Sequence, residues 1–327
     1  MNAVEDRSLR ILVMGTGPFA VPMFEGLLAA ERTVLGLVTR PDRPVHGRAG
    51  AVQNPMRAAA QKHGVPVFAP DDVNSADSHQ RLACYAADLF VVCDFGQILS
   101  RDVLGLARLG GINLHGSLLP KYRGAAPIQW AIYHGETQTG VSVIHMTPQL
   151  DAGPVLVQRW LVIGPSETAA ELEPRLAALG TEAIEEAIAI LTGGRPNAGI
   201  VQDPALASKA PRLKTSDGLI DWHRPAAAIF NQFRAMQPWP KVYSFWHPTD
   251  GSSMRIVLHE IAVRPGHAVA GAAPGAVIAT TPELIVACGD GSIAIERLQA
   301  AGRKSMPAVE FLRGHAIRPG DRFGEET

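Results

Sequence analysis

LRILVMGTGPFAVPMFEGLL, residues 9–28, is the stretch that decides the fold. Leu9–Met14 is an unbroken apolar run of strand length, followed at once by Gly15-Thr16-Gly17-Pro18 and then by a helical pattern with proline in its first turn. A buried strand feeding a helix through a glycine-rich turn is the opening unit of an α/β fold with a parallel sheet. The text downstream repeats the alternation. Strands are expected at Thr33–Thr39, Val65–Phe68, Asp88–Cys93, Gly111–Leu114, Gly140–Met146 and Val155–Ile163. A helix is expected to start near Ala125, and a long one spans Glu167–Leu191 and stops at Gly193-Gly194.

Past residue 199 the texture changes. Residues 200–215 hold three basic side chains (Lys209, Arg212, Lys214) against one acid, Asp203, and read as a basic linker. Residues 216–327 carry short β-like runs at Ala276–Ala279, Glu283–Ala287 and Ser292–Leu298, separated by Pro274-Gly275 and Gly289-Asp290-Gly291, with one helix near Pro225–Met236. That spacing predicts a small β-barrel. The expected architecture is therefore a Rossmann-like, largely parallel sheet domain over residues 1–199, a linker, and a smaller OB-like barrel over 216–327.

The whole chain of 327 residues carries a formal net charge of −1, so no global field marks it as a nucleic-acid binder. Residues 1–199 have 16 basic and 19 acidic side chains, and residues 216–327 have 11 of each. Any grip on phosphate must come from a local face. The three cysteines, Cys84, Cys93 and Cys288, form no C-x-x-C pair, which argues against a zinc knuckle or disulfide framework and points to a reducing, cytoplasmic setting. The first residues, MNAVEDRSLR, are polar and acidic, unlike a signal peptide, and no apolar run is long enough to span a membrane.

Three motifs carry chemistry. In Gly111-Ile-Asn113-Leu-His115-Gly-Ser117-Leu-Leu-Pro120, alternation puts Asn113 and His115 on one side of a strand that gives way to a loop. The carboxyl ends of strands are where open α/β sheets bind ligands. An amide and an imidazole aimed at one spot can donate to an oxygen gaining negative charge; by themselves, they also suit ordinary strand-end hydrogen bonding. In Gln149-Leu-Asp151-Ala-Gly-Pro154, the carboxylate either closes its own Asx-turn or orients His115. In Lys121-Tyr-Arg123-Gly-Ala-Ala-Pro127, Arg123 either meets an anion at a helix start or bridges loops. A fourth feature competes with these: Gly15-x-Gly17-x-x-Ala20 fits a dinucleotide fingerprint. The acidic residue expected at the end of the second strand is replaced by Thr39-Arg40, and Pro18 removes a backbone donor from the helix start, so a nicotinamide cofactor is not expected.

NLHGSLLPKYRGAAPIQWAI followed by QLDAGPVL resembles the signature of the folate-dependent formyltransferases. The resemblance implies an Asn113–His115–Asp151 catalytic set. It implies a folate site lined by Ser117, Leu118, Leu119 and Pro120 and by Phe95, Gly96 and Gln97. The opening turn, TRPDRP, Ile220-Asp-Trp222, Gln237-Pro-Trp-Pro240 and the closing GDGSIAIERLQAAGRKSMPAVEFLRG are similar to the members that act on initiator methionyl-tRNA. Two departures stand out: Val45–Gln53 keeps only His46 and Arg48 of a basic loop, and Asp94-Phe95-Gly96 stands where tyrosine commonly precedes glycine. The implied donor is 10-formyltetrahydrofolate, with no metal. The implied partner is tRNA, held by Arg43, Lys209, Arg212, Lys214, Arg303 and Lys304, and the implied enzyme is a cytoplasmic monomer that touches no membrane.

Overall fold

The computed structural model describes residues 9–42, 54–248, 253–264 and 271–326. Its contacts divide the chain into two compact units. The first comprises residues 1–128, 138–162 and 171–212; the second comprises 129–137, 163–170 and 213–327.

The first unit is built on a seven-stranded sheet. Its strands are β1 (Arg10–Gly15), β2 (Thr33–Val38), β3 (Val67–Phe68), β4 (Leu89–Cys93), β5 (Gly111–His115), β6 (Gln138–His145) and β7 (Val155–Val162). They lie in the order β3-β2-β1-β4-β5-β6-β7. The first four pairings are parallel and the last two antiparallel. The order reverses between β1 and β4, which opens a crevice at their carboxyl ends. β4 is buried at every position, as its unbroken LFVVC run demands of a central parallel strand.

Helices α1 (Val21–Ala29), α2 (Pro55–Lys62), α3 (Ala76–Tyr85) and α4 (Arg101–Leu104) connect these strands. Three start on side chains that cap a free backbone N–H: Asn54 accepts from Arg57, Ser75 from Ser78 and Ser100 from Val103. Helix α5 (Pro127–Tyr133) follows β5, and α6 (Ala169–Thr192) is the long helix read from the sequence. Where α6 passes β5 it carries Gly180; a side chain there would run into Leu114, one Cβ contact falling at 2.6 Å. Leu114 thus faces α6, and Asn113 and His115 face the other way.

The second unit contains α7 (Ala226–Ala235), β8 (Val242–His247), β9 (Met254–Val263), β10 (Val277–Ala279), β11 (Leu284–Ala287), β12 (Ser292–Ala300), β13 (Met306–Pro307), α8 (Ala308–Gly314) and β14 (Arg322–Gly324). The main path of the antiparallel sheet is β10-β11-β12-β9-β8-β14. It closes through backbone bonds from Val277 N–H to Asp321 and from Phe323 N–H to Gly275. The barrel read from the sequence is therefore present, with four strands unread: β8, β9, β13 and β14. Of the aromatic residues in this unit, Trp222, Phe245 and Trp246 are buried, whereas Trp239 stands 54% exposed in the Pro238–Pro240 turn. In the same unit, buried Arg234 donates to the carbonyls of Gly164 and Glu167 at 3.1 and 2.9 Å.

Candidate functional site

β5 ends on His115, and the loop beyond it returns against the same ring. His115 Nε2 lies 2.9 Å from the carbonyl of Tyr122. A carbonyl only accepts, so Nε2 carries a proton here, and Nδ1 is the nitrogen left for other chemistry. Nδ1 faces Asp151 Oδ2 at 3.7 Å. That is ion-pair distance, too long for a good hydrogen bond. Both side chains are largely buried. Asn113, half-buried two residues upstream, makes no side-chain hydrogen bond among the described residues.

Asp151 is held from outside its own loop. Its Oδ2 accepts from Gly124 N–H at 2.8 Å, so the Asx-turn reading is not what the carboxylate does. Its backbone is left-handed (φ 49°), as is that of Tyr122 (φ 63°). Gly124 sits at φ 129° with the Ala210 carbonyl where a side chain would go. Only glycine can bring its N–H to the carboxylate at that point. Arg123 takes the loop-bridging alternative: its Nε and Nη2 donate to Gln202 Oε1 at 3.1 and 2.6 Å.

The segment 117–120 is fixed from behind by residues the sequence reading did not single out. Ser142, fully buried on β6, donates to the Ser117 carbonyl at 2.7 Å and accepts from Leu119 N–H at 3.0 Å. Gln158 on β7 donates to the Leu119 carbonyl at 2.8 Å. Ser117 Oγ is turned inward to the Lys121 carbonyl, and Leu119 is buried. Phe95 is likewise in the core, and Gln97 caps Val73 N–H. Among the expected folate residues Gly96 is exposed and Gln97, Leu118 and Pro120 are half-buried, while the others are buried. What these segments present to a ligand is chiefly backbone.

A cavity of about 320 Å³ opens where the strand order reverses, lined by Thr16, Gly17, Arg40, Asn54, Asp94 and Arg212 among others. Asp94 has a left-handed backbone (φ 46°), and its carboxyl lies over Gly17. Burial among the cavity walls, and secondarily Glu173, push it up to about 6, with Arg212 opposing. Solvent still reaches the carboxyl through the cavity mouth, so only part of that shift registers as stability. A raised carboxyl disfavours the fold once it ionises, and the deficit builds between the ordinary 3.8 and about 6. Asp94→Asn is therefore expected to raise the thermal midpoint by about one to three degrees at pH 8. The gain should fade as the pH falls towards 4; a gain that persisted there would contradict this account.

Of the cations expected to meet tRNA, Lys209, Arg212 and Lys214 are exposed on one strap of the first unit and its exit, and Arg303 and Lys304 on a turn after β12. Arg43 and Val45–Gln53 lie outside the described residues. Among the described residues, no three His, Cys, Asp or Glu side chains gather as a metal site, and no helix is long and apolar enough to cross a membrane.

Comparison with known proteins agrees with this geometry. Residues 9–188 match the formyl transferase family model, and 212–316 match that of the formyl transferase C-terminal domain. A methionyl-tRNA formyltransferase from Rhodopirellula baltica is 44% identical, with 97% of each chain covered, and one from Geobacter sulfurreducens is 41% identical at the same coverage. Among solved structures, an N-formyltransferase from Helicobacter canadensis in complex with folinic acid and dTDP-3-aminofucose superposes with a TM-score of 0.62. It is 16% identical, with 88% of this chain and 98% of that one covered. HypX from Aquifex aeolicus in complex with tetrahydrofolic acid gives 0.60 at 16% identity; this chain spans 47% of its length. At such identity the two structures speak for the fold. The two domain matches and the full-length relatives speak for descent, and the chain belongs to the formyl transferase family.

Proposed function

We propose that this formyl transferase carries the formyl group of 10-formyltetrahydrofolate to the amino group of initiator methionyl-tRNA, as a cytoplasmic monomer. The observation that carries the reading is His115 with Asp151 against its Nδ1 edge and Asn113 on the same strand face. Formyl transfer forms a bond from the formyl carbon to the acceptor nitrogen and breaks the bond to the donor nitrogen, through a tetrahedral carbon with a negatively charged oxygen. The acceptor amine must arrive neutral. The Asn113 carboxamide and a protonated Nδ1 of His115 are the donors available to that oxygen. With Nε2 already committed to Tyr122, the Nδ1 edge is the one that serves substrate. Asp151 faces the charge His115 then carries. It accepts the proton shed by the amine, directly or through water, and a proton passes from the pair to the leaving nitrogen.

The tRNA acceptor is supported by the full-length relatives and by the exposed cations on residues 209–214. The decisive assay incubates the chain with 10-formyltetrahydrofolate and methionyl-tRNA. Formylmethionyl-tRNA is expected; formylation of an amino sugar in its place, or release of formate alone, would overturn the assignment.

Replacing Lys209, Arg212 and Lys214 together by alanine is expected to raise the KM for tRNA about tenfold while leaving kcat at saturation nearly unchanged. The salt dependence of tRNA affinity should become shallower by a few phosphate contacts, as expected where residues 216–327 carry equal numbers of basic and acidic side chains. Side-chain replacement is a cleaner test than a cut at residue 205. Such a cut would remove Ser208 and Ala210, whose backbone atoms bond Arg123 and Ala126 beside the site.

A further inference from the structure

Gln202 lies in a stretch that otherwise points outward: Ile200 is 78% exposed, Val201 81% and Leu206 64%, whereas Gln202 is 7% exposed. Its side chain is buried because its carboxamide fills the gap between two loops. Nε2 donates to the carbonyl of Asp151 at 2.9 Å and to that of Gly153 at 2.8 Å. Oε1 accepts both Arg123 bonds. Two donors meet two acceptors, and one acceptor meets two donors, so the capacity of the amide is fully used.

The two loops it joins are the two that define the site. One carries Asp151, whose left-handed backbone keeps its conformation only if the surroundings hold it. The other carries Tyr122, whose carbonyl fixes His115, and Gly124, whose N–H fixes the Asp151 carboxylate. We propose that Gln202 is a positioning residue for formyl transfer, holding the Asp151 carboxylate in line with the Nδ1 edge of His115 through the backbone of the Asp151 loop. The proposal rests on the reading that His115 and Asp151 do the chemistry. No other common side chain of this size serves: glutamate keeps the Arg123 bonds but turns lone pairs towards two carbonyls, and methionine fills the space with no bond at all.

The test is steady-state kinetics of the full chain with 10-formyltetrahydrofolate and methionyl-tRNA, using Gln202→Met and Gln202→Glu alone and in an Asp151→Ala background. Both single variants are expected to lose about tenfold or more in kcat, since a misplacement on the order of 1 Å is costly. The KM for either substrate should stay within about twofold. In the Asp151→Ala background neither should lose further, because the group being positioned is gone. Thermal melts, with rates measured well below the midpoint, separate a folding defect from a kinetic one. Gln202→Glu keeps a polar side chain and the Arg123 bonds should Gln202→Met fold poorly. Full activity in Gln202→Glu would mean that only the Arg123 side matters and would overturn the proposal, as would equal losses in both backgrounds. Normal turnover in Asp151→Ala itself would instead sink the catalytic reading on which the proposal stands.

Discussion

His115→Ala is expected to lower kcat by on the order of 10²-fold or more, and Asp151→Ala by a comparable factor, with little change in folate affinity. The double variant should lose scarcely more than the worse single one. The ground is the arrangement itself: Oδ2 of Asp151 stands 3.7 Å from Nδ1, at ion-pair distance, so the carboxylate stabilises the charge that His115 takes up and each group serves the step through the other. Removing His115 leaves a largely buried carboxylate whose one hydrogen-bond donor among the described residues is the Gly124 N–H. Removing Asp151 takes away the one carboxylate that faces Nδ1 of His115 among the described residues. If the double variant lost the product of the two single losses, the groups would be acting independently and the pair would not be a unit.

Asn113→Ala is expected to cost roughly 10²-fold in kcat, the usual effect of deleting one hydrogen bond to a developing oxyanion. Asn113 is the only member of the trio whose side chain has no hydrogen-bond partner among the described residues, as befits a group kept for substrate. The fold has no need of it either, because Leu114 and Ile112 bury the other face of β5. The variant should therefore melt near the parent temperature. A variant with normal kcat and a raised KM would move Asn113 from the transition state to ordinary binding.

How much of this was legible depended on how local each feature is. The Asn113–His115 alternation, the glycine-rich first turn and the limits of α6 are written within a few residues, and the strands of the first unit fell within one or two positions of expectation, whereas α2, α3 and α4 went unread. Asp151 lies 36 positions from His115, and spacing alone left it divided between capping its own loop and meeting the ring; the resemblance supplied what geometry then displayed. Gln202 was hidden because its neighbours read as an exposed linker. No local pattern says that one amide there turns inward to two loops, although a lone glutamine between Ile200-Val201 and Asp203-Pro204 was the signal available. β8 went unread, since Val242–His247 is nearly continuously buried and shows little alternation. The division into units was out of reach, because segments 129–137 and 163–170 join the barrel by contacts between residues far apart in sequence.

That division bears on any attempt to transplant acceptor preference from one relative to another. The obvious graft exchanges everything from Leu213 onward, treating the barrel as a cassette at the end of the chain. Such a chimera would inherit Arg234 from one parent and the Gly164 and Glu167 carbonyls from the other. Should the incoming segment follow a different path, the Nη1 of a buried guanidinium would lose both its acceptors, at a cost of about 1–3 kcal/mol for an unsatisfied group. The barrel's inheritance is thus threaded through three separate stretches of the gene, and a successful exchange has to move all of them together.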